Sequence, residues 1–347
     1  VTAPTIRCDI FCAVIDNLGD AGVCWRLARQ LATEQGWSVR LFIDDPAPIA
    51  LLAPGQDCVE TRRWEGNFAG VAPADVVIEA FACELPPAYV AAMQARHRPP
   101  VWLNLEYLSA EDWVAGCHGL PSPQAGLAKH FFFPGFVPGT GGLLREKDFA
   151  VPPAPTFDGA MEASLFCYDN PRLPALLAAW RDGERPVLCH VCDGLPRRQV
   201  EHWLGEEFPV GATTQRGALA LHALPFLPQT GYDALLARCH LNFVRGEDSF
   251  VRAQWAERPF VWQAYPQADE AHLAKLDAFL NLYTTDVAAR DFFRAWNGAG
   301  SPDWRALWSS FAARLPALAA HAPGWARRIA AHGDLATNLV KFCASRL

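Results

Sequence analysis

Along the chain the first clear signal is a hydrophobic run without alternation. Cys8-Asp9-Ile10-Phe11-Cys12-Ala13-Val14-Ile15 is apolar at all but one position, the pattern of a strand covered on both faces. It ends at Asp16-Asn17-Leu18-Gly19-Asp20, a turn of helix-capping residues and glycine. From Gly22 to Gln35 the apolar residues Val23, Leu27 and Leu31 recur at helical spacing, and Gly36 closes the segment. Trp37 to Ile43 is again strand-like. The chain therefore opens with a βαβ unit.

The alternation continues. Strands are predicted over 74–81 and 101–107, a helix over 87–96, and a further helix opening at Ser109-Ala110-Glu111-Asp112 with a capping-box flavour. From Leu120 to Pro155 proline and glycine become dense, Lys129-His130-Phe131-Phe132-Phe133 is the one clear strand, and Val151-Pro152-Pro153-Ala154-Pro155 has the composition of a stiff linker. A second series follows, with strands over 164–168, 187–192, 219–224, 240–244 and 259–265. Between them lie helices over 173–180, 196–204, 232–239 with Thr230 as its cap, 248 onward, and 270–283. The later segments 290–296, 304–315, 324–332 and 335–342 all read as helix. The pattern predicts two α/β halves, each with an open, mostly parallel sheet and covering helices, and a helical C-terminal tail.

Composition narrows the class. A chain of 347 residues is too long for one comfortable core and suits two domains with a cleft between them. Hydrophobic residues make up 51% and charged residues 19%, with no long single-sign run, so the chain is globular rather than disordered. The formal net charge is −7 and Lys and Arg form no stripe, which argues against a direct grip on nucleic acid; a basic protein partner fits the sign better. No apolar stretch has the length of a membrane span, and no basic segment leads into an apolar core at the N-terminus. A cytoplasmic protein without membrane contact is expected. Eleven Cys, an odd number, fit reduced thiols better than a disulfide framework. Cys189-His190-Val191-Cys192 has CxxC spacing, but residues three apart on a strand point to opposite faces, and no second pair follows.

Ligands in such sheets bind beyond the carboxyl ends of strands, which directs attention to the turns at 16–20, 168–170, 192–194 and 245–249. The last is the most distinctive. The apolar run His240-Leu241-Asn242-Phe243-Val244 ends at Arg245-Gly246-Glu247, and Asp248 or Ser249 can cap the helix that follows. An arginine, unpaired backbone donors and the positive end of a helix dipole together suit a phosphate or diphosphate. At the first turn Asp16 and Asp20 serve as helix caps, or hold a cationic or hydroxyl-bearing acceptor that needs a base. Phe166 and Tyr168, two apart on one strand and hence on one face, are core or a stacking surface for a base or sugar; Phe250 carries the same two readings. No GxxxxGK(S/T) loop, HExxH helix or GxSxG elbow occurs. The stretch from Asn17 to Gly22 has too few glycines for a dinucleotide fingerprint, and Asp16 and Asp20 would repel a pyrophosphate there.

Two long stretches resemble one family. Asp9 through Leu31, and Phe243-Val244-Arg245-Gly246-Glu247-Asp248-Ser249-Phe250-Val251-Arg252-Ala253-Gln254 followed by Pro259-Phe260-Val261-Trp262 and Tyr265-Pro266-Gln267, resemble the EarP family of bacterial protein-arginine rhamnosyltransferases, which act on translation elongation factor P. The likeness runs over nearly the whole chain and is thinnest in the Pro/Gly-rich middle. It implies a GT-B glycosyltransferase of two facing Rossmann-like domains. The acceptor-binding domain is expected at 1–150, a linker at 151–160, the donor-binding domain at 161–325, and a last helix at 326–347 packing back on the first domain. It also implies transfer of L-rhamnose from dTDP-β-L-rhamnose with inversion and with no metal or other cofactor. By position, Asp16, Asp20 and Glu247 match the catalytic carboxylates, and Phe166, Tyr168 and Phe250 surround the thymidine. Arg245, Asp248, Ser249, Gln254 and Tyr265 lie near the diphosphate or sugar, and Asn17 and Gly19 join the donor-binding set.

Residue chemistry and resemblance meet on a mechanism. A guanidinium is a poor nucleophile that carboxylates can hold by charge-assisted hydrogen bonds. Asp20 is expected as the base, Asp16 as the group that orients the arginine, and Glu247 beside the sugar. Arg245 and the N–H groups around Asp248 and Ser249 would stabilise the departing diphosphate, Asp248 through its backbone or with its side chain turned away. The alternatives are a GT-B enzyme with another nucleotide sugar or acceptor, and a non-catalytic module that docks on the factor.

Overall fold

The unalternating run near the N-terminus forms β1 (Arg7–Cys12), and the helical period after it forms α1 (Leu18–Thr33). The helix begins four residues earlier than the apolar spacing indicates, so Leu18, Gly19 and Asp20 are its first turn. β2 (Ser38–Ile43), α2 (Ala47–Leu52), β3 (Glu60–Arg63), β4 (Val76–Ala80), α3 (Pro87–Gln94) and β5 (Val101–Leu105) follow. No helix opens at Ser109, whose hydroxyl accepts from the Glu111 N–H within the loop; the short α4 (Val114–Cys117) starts behind Trp113 without a side-chain cap, ahead of a hairpin of β6 (Pro121–Gln124) and β7 (Leu127–Phe132). In this computed structural model, which describes residues 5–16, 18–66, 68–151, 153–156, 159–267 and 270–347, the sheet order is β3-β2-β1-β4-β5-β7-β6. Every pair is parallel except β6 with β7.

One face of that sheet is aromatic. Phe11 and Phe42, opposite each other on β1 and β2, stack with ring centres 4.8 Å apart, and Phe68, Tyr89 and Trp102 close the layer. Asp9 is fully buried, and Arg40 donates to it twice at 2.6 Å while the Tyr89 hydroxyl donates to its Oδ2. A buried carboxylate is tolerable only with such partners.

The second sheet contains β8 (Met161–Leu165), β9 (Val187–Val191), β10 (Thr213–Arg216), β11 (Leu219–Ala223), β12 (Leu241–Arg245) and β13 (Phe260–Gln263), in the order β10-β11-β9-β8-β12-β13. Only β10 runs antiparallel to its neighbour. Between the strands lie α5 (Leu173–Arg181), α6 (Leu195–Leu204), α7 (Gln229–Arg238) and α8 (Asp248–Trp255). α7 starts at Gln229 behind Pro228 and has no side-chain cap, so Thr230 sits inside the helix rather than capping it. The helical remainder is α9 (Ala271–Tyr283), α10 (Val287–Trp296), α11 (Trp304–Ala312), α12 (Leu315–Ala330) and α13 (Leu335–Ala344).

The chain divides into two compact units, Val1–Phe149 with Ile329–Leu347, and Ala150–Arg328. α13 is tied into the first unit. Asp334 caps it by accepting from the Thr337 N–H at 2.9 Å and also accepts from Gln30 of α1 at 3.1 Å, while the Leu335 N–H donates to the Leu143 carbonyl at 3.0 Å. Gly142 makes this approach possible, because at φ 76° a Cβ there would stand 2.4 Å from the Gly333 carbonyl oxygen. Among the described residues no helix is long and apolar enough to cross a membrane. Gly142→Ala is expected to destabilise the first unit by about 2–4 kcal/mol, combining left-handed strain with a backbone clash. Denaturant unfolding followed by circular dichroism measures it.

Candidate active site

In the first unit β1 lies between β2 and β4, and residues 13–16 cross its carboxyl end into α1. The crossing is held by carboxylates. The Val14 N–H donates to Asp44 Oδ1 at 2.9 Å, and the N–H groups of Ile15 and Asp16 both donate to Asp20 Oδ2, at 2.9 and 2.8 Å. Asp20, the third residue of α1, thus reaches back to the incoming chain as the acid of a capping box does. It is only 3% exposed. Burial pushes its carboxyl above the ordinary aspartate value, the two N–H bonds pull it down, and the negative charges of Asp16 and Asp44 push it up again.

Gly19 has a steric task here. A Cβ at Gly19 would stand 2.6 Å from Asp16 Oδ2, so the Asp16 carboxylate lies where a side chain would be. Asn17 lies outside the described residues. The loops after β1, β2, β4, β5 and β7 (13–20, 44–46, 81–86, 106–113 and 133–144) contain Asp16, Asp20, Asp44, Asp45, Glu84, Glu106, Glu111 and Asp112 and no Lys or Arg. Ile15, Tyr107 and Trp113 are exposed in the same loops, with Tyr107 stacked on Phe81 at 4.3 Å. These loops therefore offer negative charge and apolar surface together, while Arg62 and Arg63, at the carboxyl end of the neighbouring β3, are paired with Glu60 and Glu65.

In the second unit β8 and β12 are neighbours. β8 stops at Leu165, earlier than its apolar run suggests, so Phe166 and Tyr168 stand just beyond its carboxyl end. Arg245 is the last residue of β12, and its guanidinium lies 4.5 Å from the ring centre of Phe166 and 4.3 Å from that of Tyr168. Tyr265, exposed after β13, meets Tyr168 edge-on at 5.3 Å. The Tyr168 N–H donates to Gln263 Oε1 at 3.0 Å, and Tyr232 of α7 packs edge-on against Phe166 at 5.7 Å. Gln263 and Tyr232 escape a reading of the sequence. Gln263 leaves one signal, a polar side chain inside the apolar run 259–265.

Between β12 and α8 the chain turns at Gly246, with φ 59°, and the Trp262 Nε1–H donates to the Gly246 carbonyl at 2.7 Å. Glu247 occupies the position before α8, and no side chain caps the helix. The expected capping by Asp248 or Ser249 is replaced by other bonds. Ser249 Oγ accepts from the Arg245 N–H at 2.9 Å and donates to the Arg245 carbonyl, while Asp248 accepts from Arg252 Nε at 3.0 Å. The Asp248 side chain is drawn to Arg252, which also donates to Asp233 at 2.8 Å.

Phe250 and Gln254 require correction. Phe250 is 1% exposed, stacked on Trp262 at 4.1 Å and edge-on to Phe279 at 4.8 Å, so it is core, the other of its two readings. Gln254 is also 1% exposed and accepts from Trp325 Nε1 at 2.8 Å, roughly 9 Å along α8 from Asp248. Neither side chain is placed to touch a donor. The CxxC cysteines are free thiols that burial holds protonated, Cys192 with its pKa pushed up to about 12. Among the described residues one group has metal-ligand spacing, Glu162 with His190 and Cys239. Arg238 already places a cation there, 3.4 Å from Glu162 and 3.2 Å from His190.

The sequence pattern of the family described as "Elongation-Factor P (EF-P) rhamnosyltransferase EarP" matches residues 8–344. This chain belongs to the EarP family. A protein-arginine rhamnosyltransferase of Pseudomonas putida is 47% identical over 98% of this chain and 99% of its own. The solved structure giving the structural basis for EarP-mediated arginine glycosylation of translation elongation factor EF-P is 34% identical, with a TM-score of 0.69 over 99% of this chain and 100% of that one. MurG of Acinetobacter baumannii, at 13% identity, TM-score 0.56, and 99% and 100% coverage, shares the fold alone. The fold is GT-B, and the chain is a member of a glycosyltransferase family. Gly19→Ala tests the steric reading of the first turn. Displacing the Asp16 carboxylate should lower kcat/KM for the glycosyl acceptor about tenfold or more, while the helical Gly to Ala change itself adds roughly 0.5–1 kcal/mol of stability. Steady-state kinetics beside thermal unfolding separates the two effects.

Proposed function

We propose that this chain transfers L-rhamnose from dTDP-β-L-rhamnose to one arginine side chain of translation elongation factor P, with inversion at the sugar carbon and without a metal ion. The observation that carries this reading is the pair Asp16 and Asp20 at the carboxyl end of β1, set in loops with carboxylates and no Lys or Arg, in a chain of the EarP family. Acidic loops with exposed aromatic side chains are complementary to a basic protein that presents an arginine. Exposed charges at that edge act mainly on encounter and orientation, since salt screens them.

On the donor side the Arg245 guanidinium, lying over the rings of Phe166 and Tyr168, and the start of α8 supply positive charge for a diphosphate. Ser249 acts through its backbone and through the shape it gives the turn, because its hydroxyl is engaged with Arg245. Asp248 contributes its N–H, and the exposed Tyr265 offers a ring face to the nucleoside or sugar, while the buried Tyr168 ring supports Arg245. Glu247, immediately before α8, positions the sugar. In the transfer an arginine nitrogen forms a bond to the anomeric carbon as the bond to the diphosphate oxygen breaks, and that electron pair leaves on dTDP. The proton from nitrogen goes to Asp20 Oδ1, the oxygen that does not receive the Ile15 and Asp16 N–H groups. Asp16 aligns the guanidinium.

Incubation with dTDP-rhamnose and the factor should add one deoxyhexose to one arginine, read by mass spectrometry; no product despite measured donor binding would count heavily against the reading. A thermal-shift panel of nucleotide sugars checks the donor, and preference for a UDP sugar would overturn the thymidine assignment. Asp20→Asn should abolish turnover while donor affinity is retained. In the intact enzyme the raised carboxyl of Asp20 sets the acidic limb: activity rises with pH through a value above that of an ordinary aspartate, because the base must be deprotonated. Arg245→Lys should weaken the donor about ten- to a hundredfold by calorimetry, since an ammonium lacks the planar face that lies over both rings.

A further inference from the structure

The carboxylates that hold the β1–α1 crossing include one outside the proposed catalytic set. Asp44 follows β2, whose last residue Ile43 pairs with Cys12, the last residue of β1. Its Oδ1 accepts from the Val14 N–H and from the Asp45 N–H, both at 2.9 Å, and its own N–H donates to the Cys12 carbonyl at 3.4 Å. One side chain therefore ties the exits of two neighbouring strands at the point where the chain turns toward Asp16.

An asparagine could make the same turn, because its amide oxygen can accept both N–H groups. What it would lack is charge. The groups acting on buried Asp20 are Asp16 on its own turn and Asp44 from β2, both negative. The thiols nearest in this network, Cys12 of β1, Cys24 of α1 and Cys83 after β4, carry no positive charge to offset them. The loops 13–20, 44–46 and 81–86 contain no Lys or Arg, and Arg63 of β3, opposite Ile43, is exposed and paired with Glu65 at 2.8 Å.

We propose that Asp44 is a positioning residue of the transfer reaction, whose carboxylate fixes the β1–α1 crossing through Val14 and adds a third negative charge beside the guanidinium that Asp16 and Asp20 hold. The inference rests on the reading of Asp20 as the base. Asp44→Asn keeps the acceptor atom and removes the charge; Asp44→Ala removes both. In Asp44→Asn, amide exchange at Val14 and Ile15 should stay slow and donor affinity unchanged, the KM for the protein acceptor should rise about five- to tenfold, and the acidic limb of kcat/KM should move to lower pH. The direction follows from charge: without Asp44 the Asp20 carboxyl binds its proton less tightly. Asp44→Ala should add faster exchange at both amides and a lower kcat. A merely structural Asp44 would lower the melting temperature of Asp44→Ala and leave the pH limb and acceptor KM of Asp44→Asn at wild-type values, which overturns the proposal. Activity retained by Asp20→Asn would instead remove the base reading; an inactive Asp20→Asn beside a wild-type-like Asp44→Asn removes the role of Asp44 alone.

Discussion

A guanidinium laid over two aromatic rings sets the carboxyl edge of the second sheet. Arg245 can lie against Phe166 and Tyr168 only because β8 and β12 are hydrogen-bonded neighbours and both stop within a few residues of that edge. Each cation–ring contact contributes roughly 0.5–2 kcal/mol, depending on how far water is excluded. The surrounding bonds keep the arrangement in register: Gln263 fixes the backbone of Tyr168, Ser249 clasps both backbone groups of Arg245, and Trp262 holds the Gly246 turn. Trp262 at the same time stacks on Phe250, so the core beneath α8 and the turn above it share one side chain. The turn is rigid because its supports belong to the core.

The first unit solves a different problem on a sheet of the same mostly parallel kind. Its crossing needs partners for the N–H groups of Val14, Ile15 and Asp16, and carboxylates supply all three. A carboxylate that accepts backbone N–H groups is normally made more acidic, yet Asp20 is shifted the other way because burial and two negative neighbours outweigh those bonds. Capping and proton acceptance are thus compatible in one residue. The N–H groups occupy Oδ2 and fix the side chain, and burial raises the basicity of the carboxyl.

Much of this architecture is legible in the residue pattern, and the failures have physical causes. Strands covered on both faces, such as β1, declare themselves as apolar runs. β3 and β6 do not, because Glu60-Thr61-Arg62-Arg63 is exposed throughout and Pro121-Ser122-Pro123-Gln124 nearly so; pairing with a neighbour, rather than burial, makes them strands. α1 is misread at its start because Gly19 and Asp20 look like turn residues, and their helical state depends on bonds back to 15 and 16 that spacing does not encode. At the candidate site, residues at strand ends could be singled out, since topology alone sends them to one edge. Phe250 and Gln254 could not be sorted: a helix adjoining a site has one face toward the turn and one toward the core, and the aromatic partners of Phe250, which are Phe260, Trp262 and Phe279, come from 10 to 29 residues away.

The two arginine roles in the proposed reaction place opposite demands on the protein. Arg245 must keep its charge to meet the diphosphate. The acceptor arginine must give a proton up. An ordinary aspartate lies about 9–10 pH units below a guanidinium, a gap of roughly 12–14 kcal/mol, and burial of Asp20 closes only part of it. Removal of the proton before attack is therefore too costly. As the nitrogen bonds to the sugar carbon, positive charge accumulates on that nitrogen and its proton becomes acidic, and only then can a carboxylate accept it. In the proposed reaction the first task of Asp16 and Asp20 is accordingly to hold an intact cation, and a base of modest strength is sufficient because it acts late.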